Sequence, residues 1–410
     1  MAATTTSGGA TQQRPPFWRD ERILKILGQV VAVLIVVLAL RWLFGNLIDN
    51  LNRLGIETGF GVLRSPAGFQ VRDAFGFDQN QPIFPDLLWL GIRNTAVSAV
   101  VGIAIAVILG TLIGIGRLST NWLVQKMAMI YVEVFRNIPP LVILIFIYAA
   151  AFVSGPLPAM NPTSAPIELS VPGTENTGLL LSNDRWGIPS FATTDGTPSL
   201  FWIGSLVGLV AAAAVWRWRT KVNIDTGAPH RRVLFSFLTL LAIAIVAFLI
   251  AGNPYRISWP TVSDNGRRID GGFATNSAYI SLTVGLGLYT ASHVAEIIRG
   301  SILAIHRGQT EASNALALNG FQRYRYVILP QAMRIAIPAL INQFLNLTKN
   351  TSLGTAVAYA DVTALTATAI GNGKPAVQML LVLMVIYLMF SFGWSLILNV
   401  VNRRFQFASR

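Results

Sequence analysis

The chain contains no cysteine, which excludes disulfide scaffolds, thiolate metal centres and cysteine nucleophiles. Histidine is almost as scarce: His230, His293 and His306 are the full set of 3, too scattered to suggest a metal site. Charge is thin as well. Only 12% of the 410 positions are Asp, Glu, Lys or Arg, against roughly 25% in a soluble globular domain. No G-x-x-x-x-G-K-[ST] loop occurs. Lys374 follows Gly373, but Thr368 and Pro375 break the pattern, so this chain is not expected to bind ATP itself. No Ser-His-Asp arrangement is visible either, and no catalytic residue or independent enzymatic activity is expected.

What is present is apolar sequence in long runs, with 53% hydrophobic residues. A helix needs about 20 residues to cross a hydrocarbon layer of about 30 Å. Eight segments qualify, over 24–47, 95–116, 127–153, 199–216, 233–251, 279–298, 335–360 and 377–401. The expected class is therefore an all-α integral membrane protein with about eight transmembrane helices. The third segment carries Pro139-Pro140 and the seventh Lys349-Asn350, so broken helices or cavity-lining backbone are expected there. The first segment lacks a cleavage site of small residues and reads as an anchor, not a signal peptide.

The net charge of +13 would suggest nucleic acid for a soluble chain. In a membrane protein, cytoplasmic loops rich in Lys and Arg give the same sum. With both termini cytoplasmic, 19 of the 31 basic residues fall in inner segments, nine in the longer outer ones and three within spans. That asymmetry fixes the expected orientation and leaves a lipid bilayer, with no nucleic acid, as the partner. The outer stretch 154–198 is rich in Pro, Gly, Ser, Thr and Asn, and reads either as a small cap or as a mobile loop.

One inner loop stands out. Residues 299–334 carry Glu311-Ala312-Ser313 and, at a fixed distance, Leu329-Pro330. Thr310 is a candidate cap for a first short helix. Asn319-Gly320 is a turn signal, since both residues tolerate left-handed backbone. A second short helix is expected from about Phe321 to Ile328, with Pro330 opening the next. Two short helices joined by a turn make a knob suited to a groove on another protein; the plainer alternative is an amphipathic loop lying on lipid headgroups.

The spacing of Glu311, Ala312, Val327, Leu329 and Pro330 resembles the EAA motif of permeases from ATP-binding cassette importers. Gly308-Gln309-Thr310-Glu311-Ala312, Leu329-Pro330-Gln331-Ala332, Phe135-Arg136-Asn137-Ile138-Pro139-Pro140 and Lys349-Asn350-Thr351-Ser352-Leu353 narrow the likeness to polar amino acid permeases. Two positions depart from the pattern. Ser313 stands where the family usually has Ala, and Ala317 stands where it has Gly. Since Ala resists left-handed backbone, the turn is expected to move to Asn319-Gly320.

The resemblance implies a layout. A cytoplasmic disordered tail over 1–22 precedes an extra helix and outer loop over 23–90. The permease core occupies 91–153 and 279–402, with the coupling loop at 300–330. An insertion with two helices covers 154–278, and 403–410 forms a cytoplasmic tail. This is similar to the long permeases of general L-amino-acid importers in the bacterial inner membrane. The implied partners are a sister permease, two ATPase subunits carrying ATP and Mg, a periplasmic binding protein, and the L-amino acid substrate. The coupling residues so implied are Gly308, Glu311, Ala312, Ser313, Ala317, Asn319, Gly320, Leu329 and Pro330.

Within the spans, ionisable groups need a partner or a purpose. Lys349, read as lying near the middle of its span, is a candidate ligand for a substrate carboxylate, with Asn346, Asn350, Thr351 and Ser352 supplying hydrogen bonds. The competing reading pairs Lys349 with an internal acid or places it at a gate. In the family an acid often stands at the position of Asn350, so its absence fits neutral or acidic substrates. Glu133–Arg136 and Glu296–Arg299 are expected to pair three residues apart on one helix face. Asp361 is expected at a solvated outer end. The rival function is an ion-coupled secondary transporter of small polar solutes, which also uses broken helices with polar centres.

Overall fold

Backbone polar groups find no partners in hydrocarbon, so apolar runs must close their hydrogen bonds within helices. The computed structural model describes residues 21–55, 59–71, 77–161, 164–194, 197–227, 231–266 and 268–405. The expected tail over 1–22 lies almost wholly outside the described residues, as do His230 and the last residues of the C-terminal tail.

Helix α1 (Glu21–Arg53) precedes α2 (Leu88–Gly116). Then come α3 (Trp122–Asn137) and α4 (Pro140–Ile147), the latter extended by a π-helical turn to Val153. Strands β1 (Ile167–Ser170), β2 (Thr177–Leu181), β3 (Arg185–Ile188) and β4 (Ser190–Thr193) lead to α5 (Pro198–Thr226) and α6 (Arg232–Ile250). Strands β5 (Tyr255–Ser258), β6 (Thr261–Val262), β7 (Ile269–Asp270) and β8 (Phe273–Asn276) run into α7 (Ser277–Leu303). The short α8 (Arg307–Ala315) and α9 (Gly320–Arg323) follow, then α10 (Leu329–Asn350), which tightens to 3-10 geometry over Thr351–Val357. Helices α11 (Val362–Gly371) and α12 (Ala376–Phe405) complete the described chain.

Among the described residues, six helices are long and apolar enough to cross a membrane, and the α3–α4 pair, bent by 104°, makes a seventh. Helix α7 supplies the eighth expected segment. Its 27 residues reach about 40 Å at 1.5 Å per residue, while its many Ser, Thr and Gly residues lower its hydropathy. The bend in the α3–α4 pair has a local cause: Ile138 and Pro139 are extended (ψ 132° and 138°), and Pro140 restarts the helix. A residue before proline is pushed out of the helical region.

Small residues decide how the central helices meet. Gly102, Ala106, Gly110 and Gly114 repeat every fourth position on α2, so they form one face. That face lies against α7, with Gly102 near Thr283, Gly110 near Ala291 and Val294, and Gly114 near Ala295 and Ile298. The rising numbers on both sides mean that the two helices run parallel. A Cβ on Gly110 would stand 2.6 Å from that of Val294, and one on Gly114 would stand 2.7 Å from the Ala295 carbonyl oxygen. This is the close backbone approach that small residues permit between helices in lipid, where packing replaces hydrophobic drive. Helix α10 joins the same core through Ala336, Leu340 and Leu347.

The opposite end of α2 is tied to the start of α11 by polar groups. The Asn94 amide donates to the Ala360 carbonyl (2.8 Å), Val362 N–H donates to Thr95 Oγ1 (3.1 Å), and Ser98 Oγ donates to Tyr359 Oη (2.8 Å). Asp361 is fully buried here and caps α11 by accepting from Ala364 N–H at 2.8 Å. This corrects its expected solvated position: the apolar run ends beside the short apolar helix α11, not at water. Asp361→Ala is expected to cost at least about 1 kcal/mol through the lost cap, read as a lower melting temperature in detergent, while Asp361→Asn retains most of it.

The segment between α4 and α7 is a cap with strands, an architecture the apolar periodicity did not signal. Strands β1, β2, β3 and β8 form an antiparallel sheet in that order, with Arg185 opposite Asn276. Chain on either side of the α5–α6 hairpin therefore closes on itself, and Asn276 passes directly into capping α7 through Tyr279 N–H. The hairpin packs at Gly204 against Ala247 and at Gly208 against Ile243, leaving its outer faces apolar and exposed. Helix α1 is likewise exposed along its whole apolar window.

Candidate functional site

Two arrangements bring the sequence candidates together, and α7 connects them. Its last turn leads into α8 and α9, which form the expected knob. The start of α8 is capped by His306, whose Nδ1 accepts from Gly308 N–H at 3.1 Å. Thr310 is inside the helix, so it is not the expected cap. Glu311 and Ala312 are exposed, whereas Ser313 is buried and donates to the Thr310 carbonyl.

The turn does not move as expected. Ala317 itself is left-handed (φ 52°), and Leu318 N–H returns to the Ser313 carbonyl at 3.1 Å. Asn319 is extended and forms a capping box with Gln322, with Gly320 as the first helical residue of α9. The helix stop therefore requires left-handed backbone at the position where the resembling family has Gly, whatever residue stands there. Left-handed Ala costs roughly 1–2 kcal/mol, so Ala317→Gly is expected to raise the melting temperature of the knob without altering its shape. Hydrogen exchange at Leu318 would show it.

Around the turn, Leu316 and Phe321 are 73% and 75% exposed. Both apolar side chains are therefore left bare on a short, internally bonded helical pair. Arg323 Nη1 donates to Asn314 Oδ1 (2.9 Å) and the Gln331 amide to Gln309 Oε1 (3.0 Å), so the knob is braced on α10. Leu329 and Pro330, both exposed, begin that helix.

About midway along α7, a cavity of 240 Å³ lies between this helix and α10. Asn346, Lys349 and Asn350 line it, together with Gln343 from the same face. Thr351 and Ser352 do not. Thr351 is buried and donates to the Thr348 carbonyl, and Ser352 donates to the Lys349 carbonyl. Their hydroxyls are spent on the tightened backbone that ends α10. Lys349 sits in the last turn of that helix, not in the middle of a uniform span. The sequence reading missed Tyr289, Thr290 and His293, which line the cavity from α7. Their signal was present as polar groups at adjacent and four-residue spacing on one helix face.

Charge near this cavity is one-sided. Both Glu133 and Arg136 are exposed, and no ion pair joins them among the described residues, which corrects the expected pairing. Glu296 and Arg299 do pair, at 3.0 Å, and Arg117, just past the end of α2, joins the same carboxylate. A second cavity, of 510 Å³, lies at the cap end of α7, bordered by Arg93, Asn94, Asn276, Tyr279 and Tyr359.

A family model described as "Binding-protein-dependent transport system inner membrane component" matches residues 102–407. The general L-amino acid transport system permease protein of Rhizobium johnstonii is 33% identical over 391 residues, covering 95% of this chain and 94% of its own. The glutamate/glutamine/aspartate/asparagine transport system permease protein BztB of Rhodobacter capsulatus is 32% identical, covering 95% and 96%. A second permease of that system, BztC, is 46% identical over 66 residues, which is 16% of this chain and 15% of its own.

Proposed function

The chain belongs to the family of binding-protein-dependent transport system inner membrane components, and we propose that it is the permease subunit of an ATP-driven L-amino acid importer. It is a transport subunit, with ATP hydrolysis on a separate chain. The observation that carries this reading is the braced knob of α8 and α9, whose bare Leu316 and Phe321 lie one helix away from the polar cavity. Closure of a soluble ATPase against the knob would be felt by α7 and α10, the two helices that form the cavity walls.

The substrate range we infer is broad, including acidic and neutral polar amino acids, in line with the names of the relatives. Lys349 would hold the α-carboxylate, with Asn346, Asn350 and Gln343 as neutral hydrogen-bonding groups. Among the described residues no acid lines the cavity, which suits side chains without positive charge. The cap-side cavity is the entry vestibule in this reading, about ten residues or 15 Å up α7. The excess of basic residues in the inner segments supports a cytoplasmic location, in a bacterium, for the knob and both termini, and in this reading the strand cap faces a periplasmic binding protein. The two R. capsulatus permeases of one system support pairing with a sister permease, together with two ATPase subunits carrying ATP and Mg.

The intact complex, extracted gently from its native membrane and weighed by native mass spectrometry, tests the assembly. A second permease and two ATPase chains are expected; a lone chain or a homodimer without ATPase would favour the ion-coupled transporter. Truncating Phe321 and Leu316 to Ala is expected to weaken ATPase retention about tenfold or more, since central apolar anchors carry most interface energy. Co-purification yield at increasing dilution reads that loss.

A further inference from the structure

We propose that the chain carries a binding site for an anionic phospholipid headgroup at the junction of α2, α3 and α7. A cavity of 210 Å³ is lined there by Arg117, Trp122, Gln125, Lys126, Met129 and Arg299. Three cations surround it, and the carboxylate beside them is that of Glu296. Glu296 bonds Arg117 through one oxygen and Arg299 through the other. It thereby fixes both guanidinium groups while using one donor nitrogen of each, and each guanidinium carries five N–H donors. Lys126 has no hydrogen-bond or ion-pair partner among the described residues. The site is thus positive, pre-oriented and rich in unspent donors, which is what a phosphate diester requires.

The surface next to the cavity selects a lipid over a soluble phosphate. Leu123, Met127, Ile130 and Val134 follow one another at helical spacing along α3 and are 59%, 63%, 48% and 46% exposed. They form a bare apolar stripe leading away from Lys126, of the kind an acyl chain covers. Trp122, 71% exposed at the helix start, is a residue that favours the headgroup level. Lys126 stands at the edge of the cavity-lining face, next to the stripe, so a head site and a tail track lie on neighbouring faces of one helix. Because Arg299 belongs to the last two turns of α7, four residues before that helix ends, an occupied site would brace the helix that carries the knob.

The full-length chain, extracted with its partners and placed in phosphatidylcholine nanodiscs, can be titrated with phosphatidylglycerol and read by native mass spectrometry. Binding is expected, weakened about five-fold by Lys126→Gln, restored by Lys126→Arg and unaffected by Lys221→Gln on the α5–α6 hairpin. Arg117 and Arg299 are left intact, since removing either would strand Glu296. The proposal fails if phosphatidylglycerol does not bind, as when a sister subunit covers the stripe. It also fails if Lys126→Gln binds as well as the parent, or if excess inorganic phosphate displaces the lipid.

Discussion

Replacing Gly110 by valine is expected to abolish transport by preventing the central helices from docking. Even one added carbon would stand 2.6 Å from Val294 Cβ and Cγ1 and 2.8 Å from the Ala291 carbonyl oxygen. Backbone cannot yield as the tip of a flexible side chain can, so α2 and α7 must separate. Overpacking of a tight core typically costs 1–3 kcal/mol and occasionally more, and this contact joins the two helices on which the other core helices rest. The expected result is a large loss of folded protein, read by size-exclusion profile and protease resistance in detergent. Gly300→Val offers a control on α7 itself, because a Cβ there meets nothing within 4 Å and the fold should persist.

Lys349→Gln is the second large effect, and it acts on transport without acting on folding. The side chain is exposed to the cavity, so removing its charge leaves no buried partner stranded. A hydrogen bond to a charged group contributes about 1.5–3 kcal/mol, and this predicts a loss of roughly 10- to 100-fold in uptake efficiency for every L-amino acid carried. The uniformity matters. If Lys349 reads the α-carboxylate, glutamate and glutamine should suffer alike; a loss confined to acidic substrates would move its role to the side chain. His293→Gln, from the facing helix, should alter the ranking of substrates more than their overall rate. Uptake with a panel of labelled amino acids distinguishes these outcomes.

The fold was legible where local physics dominates and obscure where distant segments meet. Apolar runs located every long helix, including α7, whose Ser, Thr and Gly content hides it from a strict hydropathy criterion. Pro139-Pro140 announced the sharp bend because proline constrains both itself and its predecessor. The strand cap left little trace. Its sheet joins residues 167–188 to 273–276 across the whole α5–α6 hairpin, and pairing over such a separation leaves no periodic signature in one short strand.

The candidate site divides in the same way. Glu311, Ala312, Leu329 and Pro330 marked the knob because its two helices are contiguous in sequence. Its turn was misplaced because propensity favoured Asn319-Gly320, whereas the hydrogen-bonded stop of α8 required left-handed backbone at Ala317. Lys349, Asn346 and Asn350 were found as polar residues in an apolar run. Tyr289, Thr290 and His293 were missed because they complete the cavity from another helix. Asp361 was misjudged for the opposite reason: its neighbours in sequence end a span, while its neighbours in space, around Thr95 and Tyr387, bury it.

ATP-dependent uptake into proteoliposomes tests the central claim most directly. The chain would be reconstituted with its co-purified partners and binding protein, and labelled glutamate supplied on the binding-protein side. Accumulation should require ATP on the knob side and should disappear when Leu316 and Phe321 are truncated, although the chain remains inserted. Accumulation by this chain alone, driven by a proton or sodium gradient and indifferent to ATP, would contradict the account.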